Sequence, residues 1–240
     1  MPAPPSAWRR WSDKRPRIAH GLRIVGIFAA IYLAMPYMLI PIFRYIDPPF
    51  SSLMVRQKLT GVHIRKKWVD IDHMAPNLVR SVILAEDASF CQHWGVDWSE
   101  VRHALARVKK GRKPRGASTL PMQTAKNLFL WPGQDYVRKA LEVPIAFYMT
   151  LILPKRRVAE IYLNIAEWGP GTFGIEAAAR RYFHKSAARL TPREAALLAA
   201  ALPNPHRRRA NKPRLRHYRI ASHIRRRTKR EARDVSCVFK

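Results

Sequence analysis

The longest apolar run of the chain lies near its start. Residues 24–42, IVGIFAAIYLAMPYMLIPI, hold no charged side chain, and Arg23 and Arg44 bound them. As a helix the run reaches about 28 Å, close to the hydrocarbon thickness of a bilayer. Pro36 and Pro41 weaken a helix in water, but a transmembrane helix accommodates them. The run is longer than the apolar region of a cleaved signal peptide, and no A-x-A site follows it. It also lacks the polar face of a soluble helix. The pattern predicts one membrane-spanning anchor over 24–42, after a basic N-terminus over 1–23.

Beyond residue 47 the apolar positions recur mostly at helical spacing, and the fold class read from them is mainly α. Pro76 starts a helix through NLVRSVILAE. Asp97 precedes Glu100 by three residues, a capping-box spacing, and a helix continues through Val101, Leu105 and Val108. Ser118 is placed to cap STLPMQTAKNLFL. Pro121 then takes the third helical position, where no intrahelical N–H is lost. Asp135 opens a longer helix with Val137, Leu141, Ile145, Tyr148 and Ile152 on one stripe. Pro144 predicts a kink or break in it. Further helices are expected over RRVAEIYLN and GIEAAARRYF, separated by the glycine turn EWGPGTFG. TPRE (191–194) reads as a capping box with Pro at the first helical position, leading into AALLAAAL. Residues 60–72 fit a short strand or hairpin arm. In LFLWPG (128–133), Leu130 and Trp131 precede a Pro-Gly turn and are expected exposed, dipping into a membrane surface beside the basic loop 111–117 with Arg112, Lys113 and Arg115.

Charge adds a direction to this layout. The 240 residues carry 45 Lys+Arg against 16 Asp+Glu, a formal net charge of +29, and 48% are hydrophobic, which excludes a disordered chain. Arg9, Arg10, Lys14, Arg15, Arg17 and Arg23 precede the apolar run, so the N-terminus is expected in the cytoplasm and residues 47–240 outside the inner membrane. An outer location argues against nucleic acid and favours anionic lipid or a lipid diphosphate as the partner of the basic surface. The domain proper is read as 47–205. Residues 206–240 form an Arg-rich tail, read either as a basic helix or as disordered. The two cysteines, Cys91 and Cys237, exclude a disulfide scaffold and a Cys-rich zinc module, and one bridge stays open. No HExxH and no CxxC occurs, so no metal-ligand cluster is read.

Two carboxylates stand out. Glu86 ends an apolar helix, where the macrodipole disfavours its charge, and partial burial would raise its pKa toward that of a general base. From its position alone, pairing with a nearby Arg is the better reading. Glu142 follows Arg138 by four residues on a helix edge beside the apolar stripe, where spacing alone favours an ordinary surface ion pair. Lys126, with Arg138 and Lys139, could form a cationic pocket for a diphosphate.

Four ordered motifs join these residues. EDASFCQHWG (86–95), GASTLPMQTAKN (116–127), RKALE (138–142) and KRRVAEIYLN (155–164) together resemble the family-51 peptidoglycan glycosyltransferases, over about Trp68 to Pro205. The resemblance implies a lysozyme-like, two-lobed helical domain behind the single transmembrane helix. It implies that Glu86 deprotonates the 4-hydroxyl of the N-acetylglucosamine of lipid II, which attacks the growing glycan on undecaprenyl diphosphate with inversion to a β-1,4 link. Lys126, Arg138 and Lys139 would stabilise the diphosphate, and Glu142 would act beside it. Asp87, Phe90, His93, Ser118, Thr119 and Gln123 would contact substrate. A divalent cation, Mg or Mn, could assist the leaving group, with no dedicated cage for it and no cofactor required. Other cell-wall synthesis or division proteins are the implied partners. Pro121 and Gln134 depart from the family pattern, where Thr or Ser and an Arg are usual. No SxxK occurs, so glycan transfer without a transpeptidase is expected. A lytic hydrolase and a non-enzymatic cationic scaffold are the competing readings.

Overall fold

Helix α1 (Pro16–Ile42) is longer than the apolar run, because Pro16 takes a first-turn position where no intrahelical N–H is needed. It continues through Pro36 and Pro41. Among the described residues it is the one helix long and apolar enough to cross a membrane, and only 11% of its most apolar window is buried by protein. Its far end docks on the body. Ile40 and Phe43 enter the core, and the Tyr37 and Tyr148 rings meet at 5.1 Å. Arg44 donates to the Ile152 carbonyl at 3.1 Å, and Arg157 Nε to that of Phe43 at 2.8 Å. The computed structural model describes residues 15–112, 116, 118–133 and 135–239, leaving out the side chains of 232–234. The basic residues Arg9, Arg10, Lys14, Lys113 and Arg115, and Gln134, therefore lie outside the described residues.

The body follows as α2 (Ser52–Leu59), β1 (Arg65–Lys66), α3 (Pro76–Glu86), α4 (Trp98–Lys109), α5 (Leu120–Phe129), α6 (Tyr136–Ile152) and α7 (Lys155–Ile165). Then come β2 (Glu167–Gly169), β3 (Thr172–Phe173), α8 (Ile175–Phe183), α9 (Pro192–Ala201) and α10 (Leu215–Arg230). The mainly helical class holds. The expected strand near residues 60–72 is the two-residue β1. It pairs parallel to β3, which pairs antiparallel to β2 across the glycine turn.

Two helix groups share one core. In one, α3, α9 and α10 pack mutually. In the other, α5 packs on α6 and α7. Buried Ala195, Ala196, Ala199 and Ala200 of α9 carry small side chains that let its neighbours approach closely. Its start is the expected capping box, with Thr191 and Glu194 bonding reciprocally.

Several expectations change in the fold. Thr119, not Ser118, caps α5, so Pro121 takes the second helical position. Helix α6 runs unbroken through Pro144, and its buried face is Arg138, Glu142, Ile145, Ala146 and Met149 rather than the stripe starting at Val137, which is 67% exposed. Leu130 is only 3% exposed, because the segment folds back under α2 and Ser52 Oγ donates to its carbonyl at 2.6 Å; Trp131 alone stays partly open, at 38%. The Arg-rich segment is largely the helix α10, whose Ala221, Ile224 and Thr228 are buried against α3 and α9. The two cysteines form a bridge, Cys91–Cys237, tying the loop after α3 to the end of the chain.

Candidate active site

Glu86 is the last residue of α3. No Arg pairs with it among the described residues, contrary to the reading from position alone. Its Oε2 instead accepts from Gln123 Nε2 of α5 at 3.1 Å, and Gln123 Oε1 accepts from the Tyr162 hydroxyl of α7 at 3.1 Å. This relay fixes the amide and aims one carboxylate oxygen. Burial raises the Glu86 pKa above the ordinary carboxylate value. Asp87 next to it adds to the rise, and the Gln123 bond, Lys126 and Arg208 oppose it. Arg227 of α10 donates to the Leu84 carbonyl at 2.9 Å, satisfying the end of α3 beside the carboxylate.

The loop after Glu86 is held from within. Asp87 is buried, accepts the Leu120 N–H at 2.7 Å at the start of α5, and pairs with His93 Nε2 at 2.9 Å. Lys155 donates to the carbonyls of Phe90 and His93, both at 2.6 Å, and sits over the Phe90 ring. Burial lowers the Lys155 pKa to about 8, with Asp87 opposing the shift. Gly95 has φ +86°, and a Cβ there would stand 2.5 Å from the Ala146 carbonyl oxygen, so this turn takes no other residue. Phe90 is fully buried, and the Asp87 and His93 side chains nearly so. These three residues, expected to contact substrate, shape the loop that carries Glu86. Thr119 is likewise buried, with its hydroxyl on the Gly95 carbonyl.

Across α5 and α6 lies a cationic cluster. Arg138 and Glu142 form an ion pair with both side chains under 10% exposed, not the surface pair expected from spacing. Lys139 donates to Glu142 Oε2 at 2.8 Å and to Ser118 Oγ at 2.5 Å. Arg138 also reaches the Gly133 carbonyl at 2.6 Å. Lys126 has no carboxylate partner within salt-bridge distance among the described residues. Burial and Arg138 lower its pKa, while Glu86 opposes the shift. Burial, Arg138 and Lys126 lower Lys139 to about 8. Arg138 and Lys139 thus converge on one carboxylate, and Lys126 interacts with Glu86 through charge without contact. Glu142 has both oxygens engaged by cations, and among the described residues no group of three His, Cys, Asp or Glu could hold a metal ion. The donor set therefore does not fit a resident divalent cation.

The model of the transglycosylase family matches residues 54–231. The chain belongs to this family. It is a glycosyltransferase, and the match takes in the Arg-rich segment up to Glu231. Three relatives carry the name biosynthetic peptidoglycan transglycosylase. That of Rhizobium etli is 46% identical over 236 residues, covering 97% of this chain and 99% of its own length. The Nitrobacter winogradskyi protein is 51% identical over 193 residues, 80% and 85% of the two chains. The Brucella suis protein is 49% identical over 224 residues, 92% and 98%.

Sequence reading missed Tyr162, Lys155 and Arg208 as neighbours of the site. The first two lie inside the KRRVAEIYLN motif, and that was their available signal. Their action on the loop and on Gln123 depends on contacts 39 to 65 residues apart in sequence.

Proposed function

We propose that this chain is a peptidoglycan glycan-strand polymerase, anchored in the inner membrane by α1 with its body on the periplasmic side. Glu86 takes the proton from the 4-hydroxyl of the N-acetylglucosamine of lipid II as that oxygen bonds to the anomeric carbon of the donor glycan. The carbon–oxygen bond to undecaprenyl diphosphate breaks, and its electron pair leaves on the diphosphate. A single displacement of an α-linked donor gives a β-1,4 link with inversion. Lys126, Arg138 and Lys139 hold the charge that grows on the leaving group. No step is routed through a metal, and no transpeptidase activity is assigned.

The observation that carries this reading is the pairing of a half-buried carboxylate, with no ion pair among the described residues, with a cluster of three cations that holds one buried carboxylate. A diphosphate diester, with two ionised phosphates, suits a cluster in which three cations stand against one buried carboxylate. A lytic hydrolase of similar layout would need the carboxylate but not the cluster. Substrate access has its own support in an apolar cavity of about 570 Å³. Tyr32, Met35 and Leu39 of α1, Phe43 just after it, Val55 of α2 and Leu128 to Pro132 line it, next to the membrane end of the domain. It suits the polyprenyl chain.

The test is polymerisation of lipid-linked disaccharide by the full chain in detergent micelles. Glycan growth is expected, with a strong loss of turnover in Lys126→Ala that added salt does not rescue. Failure to extend lipid-linked substrate, with cleavage of finished glycan instead, would establish the hydrolase reading.

A further inference from the structure

One covalent link ties the proposed base to a distant part of the chain. Cys91 stands five residues after Glu86, and its bridge to Cys237 spans a sequence separation of 146. Cys237 sits in a short 3-10 segment, Ala232–Val238, that follows α10. Val235 and Val238 of that segment are fully buried. Arg156 of α7 donates to the Val238 carbonyl at 3.0 Å, and Arg80 of α3 lies 4.6 Å over the Phe239 ring. Lys155, the neighbour of Arg156, donates to the Phe90 and His93 carbonyls on either side of Cys91. The first turn of α7 therefore holds the backbone around both cysteines.

The bridge closes a ring through Glu86. From Cys237 the chain leads back into α10, where Arg227 donates to the Leu84 carbonyl at 2.9 Å and the Thr228 and Ser81 hydroxyls bond at 3.1 Å. Leu84 and Ser81 belong to α3, the helix that ends at Glu86. The other arm of the ring is the loop from Glu86 to Cys91. With the bridge closed, neither arm moves without the other. With it open, the segment after α10 is held by noncovalent contacts alone, and terminal segments so held fray. The bridge is also reachable. Both cysteines are partly exposed, and Cys91 lines a cavity of about 470 Å³ with Arg44, His93, Trp94, Leu151 and Lys155. A thiolate has room to approach there, and the Arg44 and Lys155 cations favour the thiolate that leaves.

We propose that the Cys91–Cys237 bridge is a redox switch on the Glu86 loop, closed and opened by a dithiol protein of the thiol–disulfide exchange class. The link to catalysis rests on the reading of Glu86 as the base. On closure, a thiolate of this chain attacks the partner's disulfide and releases one partner thiolate. The thiolate of the second cysteine then attacks the mixed disulfide and releases the other. Two electrons and two protons leave the Cys91 and Cys237 thiols, and the partner's disulfide becomes a dithiol. Opening is the reverse exchange, with the partner's dithiol oxidised to its disulfide. The closed chain holds Glu86 against Gln123. The open chain stays folded and holds Glu86 loosely. Cys91 and Cys237 are positioning residues, acting on the base through the loop and through the end of α3.

The experiment follows polymerisation by the full chain in detergent across dithiothreitol redox buffers. Maleimide labelling counts the free thiols, and tryptophan fluorescence follows folding. As the bridge opens, kcat should fall about tenfold or more, the effect of a misplaced catalytic group, with KM near native and fluorescence unchanged. Reoxidation should restore it. Cys91→Ser and Cys237→Ser chains should show the low kcat in every buffer. A bridge that opens only as the chain unfolds, or a native kcat with the bridge open, would overturn the switch. Thioredoxin lacking its resolving cysteine is the probe for the partner. It should be trapped on the native chain as a mixed disulfide, and no trapped species overturns exchange with a dithiol protein. If the oxidised native chain extends no lipid-linked substrate, the polymerase reading fails, and hydrogen exchange at the amides of residues 86–95 reads the switch alone. Faster exchange with the bridge open upholds it, and equal exchange overturns it.

Discussion

Glu86 and Glu142 are both carboxylates on helices that border the same site, and their surroundings divide their roles. Glu86 is half-buried with a neutral amide as its hydrogen-bond partner, so its charge is poorly compensated and its pKa rises. Glu142 is buried between Arg138 and Lys139, so its charge is fully engaged. A group that must accept a proton needs the first environment. A group that must hold cations in place needs the second.

Substitution separates the two most sharply. Glu86→Gln keeps the shape and loses the base. Polymerisation should fall about 10²–10⁴-fold with the melting temperature unchanged or slightly raised, since a poorly solvated charge is removed. Substantial chain growth by a folded Glu86→Gln protein would remove Glu86 from the mechanism. Glu142→Gln should instead lose stability, by about 3–5 kcal/mol in denaturant unfolding, because the buried Arg138 guanidinium is left uncompensated. An unchanged midpoint there would mean that solvent or substrate, not Glu142, balances the cluster.

A third test asks whether the Glu86 loop depends on a tether that Glu142 lacks. Cys237→Ser opens the bridge to Cys91, five residues after Glu86. The protein should lose about 2–4 kcal/mol of stability, and reductant should reproduce the loss in the native chain but not in the variant. Tyr162→Phe is milder. It frees the Gln123 amide at a cost of about 1 kcal/mol, read as a roughly fivefold lower kcat with KM near native. If kcat is native, the relay does not orient Glu86.

The smallest effect is a displaced limb of the pH profile. As the proposed base Glu86 acts deprotonated, so the acid limb of kcat/KM should lie above the ordinary carboxylate range. In the proposed role Lys139 acts protonated, so activity should fall as pH rises through about 8. Lys139→Arg keeps the charge and should extend activity to higher pH. An alkaline limb that stays in place would point to Lys155, lowered to about the same value.

Much of this layout is written in local pattern. The anchor, the start of α3 at Pro76, the Thr191–Glu194 box and the order of the motif residues follow from apolar spacing and capping chemistry. The burial of α6 does not. Apolar residues lie on several sides of that helix, and Val137, Phe147 and Leu151 stay exposed while Arg138 and Glu142 turn inward. An i,i+4 pair has the same spacing on a surface as in a core, so only the packing partners tell which it is.

The chain's own sequence determined that it is helical, led by a helix long and apolar enough to cross a membrane, and equipped with a carboxylate–cation set, because periodicity, length and charge are local and additive along the chain. Tertiary structure alone decided three things: that Glu86 meets Gln123 instead of an arginine, that Cys91 meets Cys237, and that the Arg-rich segment is a packed helix. Each of these rests on contacts between distant segments, where burial sets the strength of a charge and the fold chooses its neighbours.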